Sequence, residues 1–211
     1  MTSLVIFDCD GVLFDSAGAN VAYYNAVLAR LGRPPMDEAW GRRAHFLSSR
    51  QLYEAMFGAD SALGAAALRV GREVEYGPFY ALMRPMPDLE RALQQLAAHY
   101  RLAMATNRGG TAQGVVRHFA LDRWLALAVG AHDVPRAKPH PDMLLRCLEH
   151  FHLPPTAAVY VGDSDTDHQA ALAAGIRFIA FGAATQAAHR VHALRELPDL
   201  LARIQGVTSD Q

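Results

Sequence analysis

Two carboxylates stand one residue apart in Phe7-Asp8-Cys9-Asp10-Gly11, directly after the apolar run Leu4-Val5-Ile6-Phe7. A hydrophobic strand that ends in Asp-x-Asp carries both carboxylates to its carboxyl end, the edge where open α/β sheets bind ligands. One carboxylate there can serve as a nucleophile and the other as a general acid/base. Together they can also hold a hard cation. Gly11 lets the backbone turn sharply and approach a ligand without a Cβ.

Three further segments bring reactive groups to the ends of apolar runs. Leu102–Thr106 ends in the hydroxyl and amide of Thr106-Asn107. The run at 126–130 leads into a loop that holds Lys138. The run at 157–161 ends in Gly162-Asp163-Ser164-Asp165-Thr166-Asp167. In a parallel sheet these four ends share one edge. The resulting inventory suits phosphoryl transfer. A carboxylate that attacks a phosphate meets charge repulsion, which Mg²⁺ and an ammonium neutralise. Hydroxyl, amide and backbone N–H donors hold the phosphate oxygens. Mg²⁺ asks for few protein ligands beyond carboxylates.

The elements that must position these groups alternate. Strands are expected at 3–8, 102–106, 126–130, 157–161 and 176–181. Helices are expected near 88–99, 111–118, 141–151 and 165–174, and from about 186 to 205, with a frayed tail. Residues 16–83 read as helical throughout, with helices around 37–44, 47–57 and 61–83 and a first helix stopped by Gly32 and Pro34-Pro35. The fold class is therefore α/β: a parallel Rossmann-like sheet with helices on both faces and an inserted small helical cap. Residues 1–14 and 85–211 are expected to form the catalytic core and 15–84 the cap, which enters just after Asp-x-Asp and can close the sheet edge to water.

Composition narrows the function classes. The chain has 211 residues, 51% hydrophobic, with net charge -1. Its charge balance gives no ground for nucleic-acid binding. No apolar stretch reaches membrane-span length. Cys9 and Cys147 form neither a disulfide framework nor a zinc pattern, and Met1-Thr2-Ser3 lacks the basic flank of a signal peptide, so a cytoplasmic setting is expected. Of the 20 basic residues only Lys138 is lysine. A position that keeps lysine in an arginine-biased chain points to a compact ammonium where a guanidinium does not fit. The ten histidines lack a third ligand in register and read as surface groups, including His189 and His192 on the expected last helix. Arg42, Arg43, His45, Ser48, Ser49 and Arg50 read equally as a solvated helical face or as a cap surface that binds an anionic substrate, with Arg50 the candidate contact.

The four motifs, Asp8-x-Asp10-Gly11-Val12, Thr106-Asn107, Lys138-Pro139 and Gly162-Asp163 followed by Asp167, resemble those of the haloacid dehalogenase-like hydrolase superfamily in order and spacing. The small helical insert and the chain as a whole look like its phosphoglycolate phosphatase-like group. The resemblance implies a hydrolase acting on small phosphorylated metabolites. It makes Asp8 the nucleophile that becomes an aspartyl phosphate. It makes Asp10 the general acid/base, with its backbone carbonyl on the metal. Gly11, Thr106 and Asn107 would bind phosphate, and Lys138 would steady nucleophile and phosphate. Asp163 would hold Mg²⁺ with Asp8, and Asp167 would stand near the metal, in its outer surroundings. Two departures stand out: Arg108 where the group commonly has Lys, which the arginine bias explains, and Pro87-Asp88 for Pro-Gly. A phosphomutase of the β-phosphoglucomutase type is the nearest alternative, although such relatives carry Glu-Asp where this chain has Gly162-Asp163. Asp10 and Asp163 argue against a dehalogenase, and a cap without lysine closes the Schiff-base phosphonate route. A non-catalytic binding protein on the same fold is the alternative of another class. The oligomeric state is not legible.

Overall fold

A computed structural model describes residues 2–183 and 185–206. Strand β1 (Leu4–Phe7) is buried along its whole length. Its side chains alternate: Val5 and Phe7 enter one apolar cluster, and Leu4 and Ile6 enter another on the opposite sheet face. A strand covered on both faces needs an unbroken apolar run, and this explains the sequence Leu-Val-Ile-Phe.

A two-residue strand, β2 (Phe14–Asp15), pairs antiparallel with β3 (Arg84–Pro85). Between them lie helices α1 (Ala17–Arg30), α2 (Glu38–Arg43), α3 (Ser49–Phe57) and α4 (Ala62–Glu73). The last helix stops at Glu73, short of the expected 83, and Gly77–Leu82 forms a 3₁₀ turn instead. Gly77-Pro78 interrupts the α pattern there, since proline removes a backbone donor. These helices share their own apolar cluster, which includes Tyr24, Val27, Leu52 and Tyr53.

The chain then alternates as expected: α5 (Leu89–Ala97), β4 (Arg101–Thr106), α6 (Ala112–His118), β5 (Leu125–Gly130), α7 (Asp142–Phe151), β6 (Ala158–Gly162), α8 (Asp165–Ala174) and β7 (Arg177–Phe181). Asp88, which stands where Gly was expected, has φ 64°. Glycine adopts that left-handed conformation freely, and Asp is among the few other residues that tolerate it.

The end of the chain differs from the helical expectation for 186–205. Residues His189–Val191 form a strand, β8, parallel to β7, and only Leu197–Gly206 form a helix, α9. Three residues are too few for a readable alternation. The Arg190 guanidinium holds this edge strand by bonding the carbonyls of Gly182 and Thr185. His189 and His192 therefore do not share a helix face. The expected fraying falls on residues 207–211, outside the described residues.

Among the described residues, six strands form one parallel sheet in the order β5-β4-β1-β6-β7-β8. Helices α5, α6 and α9 cover the face of Val5 and Phe7, and α7 and α8 cover the other. Strand order runs outward in both directions from β1, so β1 is the topological switch point. Its carboxyl end opens into a crevice between oppositely directed connections. Phe7 pairs with Met104 on one side and Val161 on the other. Asp8, one residue on, thereby lies between the strand ends that carry Thr106 and Asp163.

Candidate active site

Asp8 leaves β1 with its backbone N–H bonded to the Val161 carbonyl at 2.9 Å. Lys138 reaches it from the loop after β5. Its Nζ is 2.8 Å from Asp8 Oδ1 and 2.6 Å from Asp167 Oδ1, and it donates to the Tyr160 hydroxyl at 2.9 Å. The lysine is 2% exposed. Burial disfavours the ammonium, but Asp167 and Asp8 reverse this and hold it protonated well above the ordinary lysine range. Burial pushes the Asp8 carboxyl up to about 8 against the pull of Lys138.

Asp167 sits at the third position of α8, whose first turn is a reciprocal capping box with Ser164. Its Oδ2 accepts the Ser164 N–H at 3.1 Å and the Ser164 hydroxyl at 2.6 Å. Its Oδ1 accepts Lys138 and, at 2.8 Å, Tyr160. Both oxygens are thus engaged, and Asp167 serves to fix the ammonium. Gly162 makes this possible, because a Cβ there would lie 2.4 Å from the Asp167 Cβ.

Asp163 presents a different picture. Its Oδ1 is buried without a hydrogen-bond partner, and its Oδ2 lies 3.7 Å from His45 Nε2. Burial first, and then Asp167, raises its pKa. One oxygen from each of Asp8, Asp163 and Asp167 lies within 4.8 Å of the others. Two buried carboxylates and a half-buried one around a single ammonium leave excess negative charge when ionised, and an orphaned carboxylate oxygen calls for a partner. An all-oxygen set of this kind fits a small hard cation such as Mg²⁺. Gly11 has φ 79°, and a Cβ on it would stand 1.9 Å from Asp163 Oδ2, so only glycine lets this loop pass so close to Asp163.

Asp10 is held from the side of the helical insert. Its Oδ1 accepts Arg108 Nε at 3.0 Å, Arg108 Nη2 at 2.6 Å and Asn20 Nδ2 at 3.4 Å, and also the Ser16 hydroxyl. Arg108 in turn donates to the Tyr76 hydroxyl at 2.7 Å and to Asn20 Oδ1 at 3.0 Å. Burial pushes the Asp10 carboxyl up, but Arg108, then Ser16, bring it below the ordinary aspartate value.

Thr106 is fully buried at the end of β4, its hydroxyl accepting the Arg108 N–H at 3.2 Å. The Asn107 amide is spent on structure. Its Oδ1 accepts the Lys138 N–H at 2.9 Å, and its Nδ2 donates to the carbonyls of Phe46 at 2.9 Å and Lys138 at 3.3 Å. Gln51 Nε2 adds a bond to the same Lys138 carbonyl at 3.0 Å. Asn107 therefore ties the lysine loop to the insert, with its amide aimed at neither carboxylate. Arg50 does not join the site either: it is exposed and lies 3.9 Å from Glu54, one turn along α3. Ser49, its neighbour, faces inward and meets the Tyr24 hydroxyl at 3.1 Å.

Residues 5–181 match the haloacid dehalogenase-like hydrolase family. This chain belongs to the haloacid dehalogenase-like hydrolase family. Its relatives place it in the phosphoglycolate phosphatase-like group. It is 31% identical over 185 residues to a phosphoglycolate phosphatase of Pseudomonas putida, covering 83% of this chain and 68% of that one. It is 32% identical over 183 residues to phosphoglycolate phosphatase 1 of Pseudomonas aeruginosa, covering 82% and 67%. A haloacid dehalogenase-superfamily hydrolase of subfamily IA from Geobacter sulfurreducens has the same fold, with a TM-score of 0.74, 36% identity, and 95% and 96% of the two chains covered.

For this haloacid dehalogenase-like hydrolase, sequence reasoning missed Tyr160 and the cradle of Arg108, Ser16, Asn20 and Tyr76 around Asp10. Arg108 was readable in part, because it directly follows Thr106-Asn107; the arginine bias concealed it. Tyr160 sits mid-strand and carries no signal beyond being polar in a buried run.

Proposed function

We propose that this hydrolase is a Mg²⁺-dependent phosphomonoester phosphatase that works through an aspartyl phosphate on Asp8, with a small phosphorylated metabolite as substrate. The observation that carries this reading is the buried pairing of Asp8 with Lys138, beside an Asp163 oxygen that has no partner. The names of the relatives in Pseudomonas agree with it.

Asp8 Oδ attacks phosphorus, and the P–O bond to the leaving alcohol breaks. Lys138, held by Asp167 and Tyr160, favours the ionised form of Asp8 against the push of burial and balances charge on the phosphoryl oxygens. Thr106 and the backbone around Gly11 receive those oxygens. Asp10 gives its proton to the leaving oxygen, then takes one from the water that hydrolyses the acyl phosphate. Arg108, Ser16 and Asn20 hold Asp10 ionised at rest, which suits the second step. For the first step Asp10 must give up part of this cradle and take a proton from solvent, which it then passes to the leaving oxygen. Asp8 and Asp163, with the Asp10 carbonyl, would hold Mg²⁺, which when bound neutralises charge between nucleophile and phosphate.

The two free cysteines are buried, and no helix among the described residues is long and apolar enough to cross a membrane. Both facts support the cytoplasmic setting. Hydrolysis of 4-nitrophenyl phosphate with Mg²⁺ and with excess EDTA tests the reading. Turnover is expected only with Mg²⁺. Equal turnover in EDTA, or none in either, contradicts it.

A further inference from the structure

Behind Arg108, between the helical insert and the sheet edge, lies a cavity of about 360 Å³. Its inner end is formed by Asn20 and Arg108, the two residues that also hold Asp10. A leaving group protonated by Asp10 would reach it past the Arg108 side chain. The volume is far more than a two-carbon acid fills, since each water in the liquid occupies about 30 Å³. It matches the lower range of pockets that bury ring-sized ligands.

The chemistry of the walls is specific. Tyr53, Tyr24, Tyr23, Tyr76 and Tyr80 form a continuous run of rings, with successive centroids 5.8, 5.2, 5.4 and 5.1 Å apart. Gly114 leaves room for the last of these, as a Cβ there would stand 2.2 Å from the Tyr80 hydroxyl. The hydroxyls of Tyr23, Tyr24 and Tyr76 are bonded within the protein. That of Tyr53 is buried without a partner, on a residue 1% exposed. A buried hydroxyl without a partner costs stability, which a ligand bonded to it would recover. Arg72, Arg117 and His132 stand at the rim, Arg108 stands at the inner end, and no Asp or Glu lines the cavity among the described residues.

We infer that this cavity takes a ring-sized leaving group that carries a second anion, either carboxylate or phosphate, with Tyr53 as a hydrogen-bond partner and Arg72 and Arg117 reading the charge. This rests on the phosphatase reading and goes beyond it in naming the substrate class. It separates this chain from an enzyme built for a two-carbon acid.

Matched esters test it with the Mg²⁺-loaded enzyme. Carboxylate is read by 4-carboxyphenyl phosphate against phenyl phosphate, phosphate by fructose 1,6-bisphosphate against fructose 6-phosphate, and size by 2-phosphoglycolate. At least one ring ester with the second anion is expected to exceed its partner without it, and 2-phosphoglycolate, in kcat/KM by roughly tenfold or more. Which pair responds identifies the anion. Arg72→Ala and Arg117→Ala should each lower that preference roughly two- to fivefold, as rim charges do, and leave the ester without the second anion little changed. Tyr53→Phe should weaken the preferred ester several-fold while the melting temperature stays level or rises, which a purely structural tyrosine would not do. Equal kcat/KM within both pairs, or 2-phosphoglycolate as the best substrate, overturns the inference. Turnover of no ester at all would be failure of the phosphatase reading alone. Calorimetric titration with the same esters then decides the cavity, by tighter binding of the member with the second anion that is lost in Tyr53→Phe or by no difference.

Discussion

Lys138 stands at the sole position where this arginine-biased chain keeps a lysine. Its Nζ touches Asp8, Asp167 and Tyr160 within 2.9 Å in a space closed to solvent. A guanidinium is larger and planar, and cannot meet three partners converging on one point without displacing one of them. Lys138→Arg is therefore expected to lower kcat roughly 10²-fold, on the scale of losing one preorganised electrostatic contact. Steady-state kinetics with an aryl phosphate check this, and wild-type values would show that the ammonium has no part in turnover. Arg108 shows the opposite preference. Its fork delivers Nε and Nη2 to one Asp10 oxygen and Nη1 to Tyr76, a pattern that a single ammonium cannot reproduce. The same arginine bias in composition thus pointed to one site residue and hid the other.

At the scale of elements, the first turn of α8 supports the site. Ser164 caps the helix and occupies Asp167 Oδ2, which leaves Oδ1 to orient Lys138. Ser164→Ala should cost about 1 kcal/mol in stability from the lost cap. It should also lower kcat several-fold with KM little changed, because Asp167 loses its fixed orientation. Denaturant melts and kinetics check the two parts, and an unchanged kcat would detach Asp167 from the chemistry. The five long strands were legible because each is an apolar run, Asp8 and Asp163 because they directly follow two of them, and Lys138 because it is the one lysine of an arginine-biased chain. The strand at His189–Val191 was not legible. Three edge residues, two of them polar, show no period, and their pairing comes from a distant neighbour. Arg50 stands outside the carboxylate cluster for a related reason. A charge on a short helix has a face only once the helix is packed, and packing turns Ser49 inward instead.

For the whole molecule, the insert and the sheet edge meet around one cluster of opposed charges. Asn107 to Phe46, Gln51 to Lys138 and Arg108 to Tyr76 tie the two parts together beside the carboxylates. A cation that binds only the folded arrangement stabilises it by mass action, by about 2.7 kcal/mol at 100 times its dissociation constant. Saturating Mg²⁺ should raise the melting temperature of the wild type and have little effect on Asp163→Asn, which lacks the charge of the unpartnered carboxylate. Equal shifts in both, read by thermal denaturation, would place the cation elsewhere.

The proposed mechanism forms a covalent bond between Asp8 and phosphorus, and Asp10→Asn makes that bond observable. The variant keeps the nucleophile but has no base to activate water. 4-Nitrophenyl phosphate has a leaving group that departs without an acid, so the first step still proceeds. After incubation with Mg²⁺, acid quenching and borohydride reduction, peptide mass spectrometry should find the reduced, formerly phosphorylated aspartate at Asp8, and none in an Asp8→Asn control. An unmodified Asp8 in a variant that releases nitrophenol, or a label on another residue, would contradict the account.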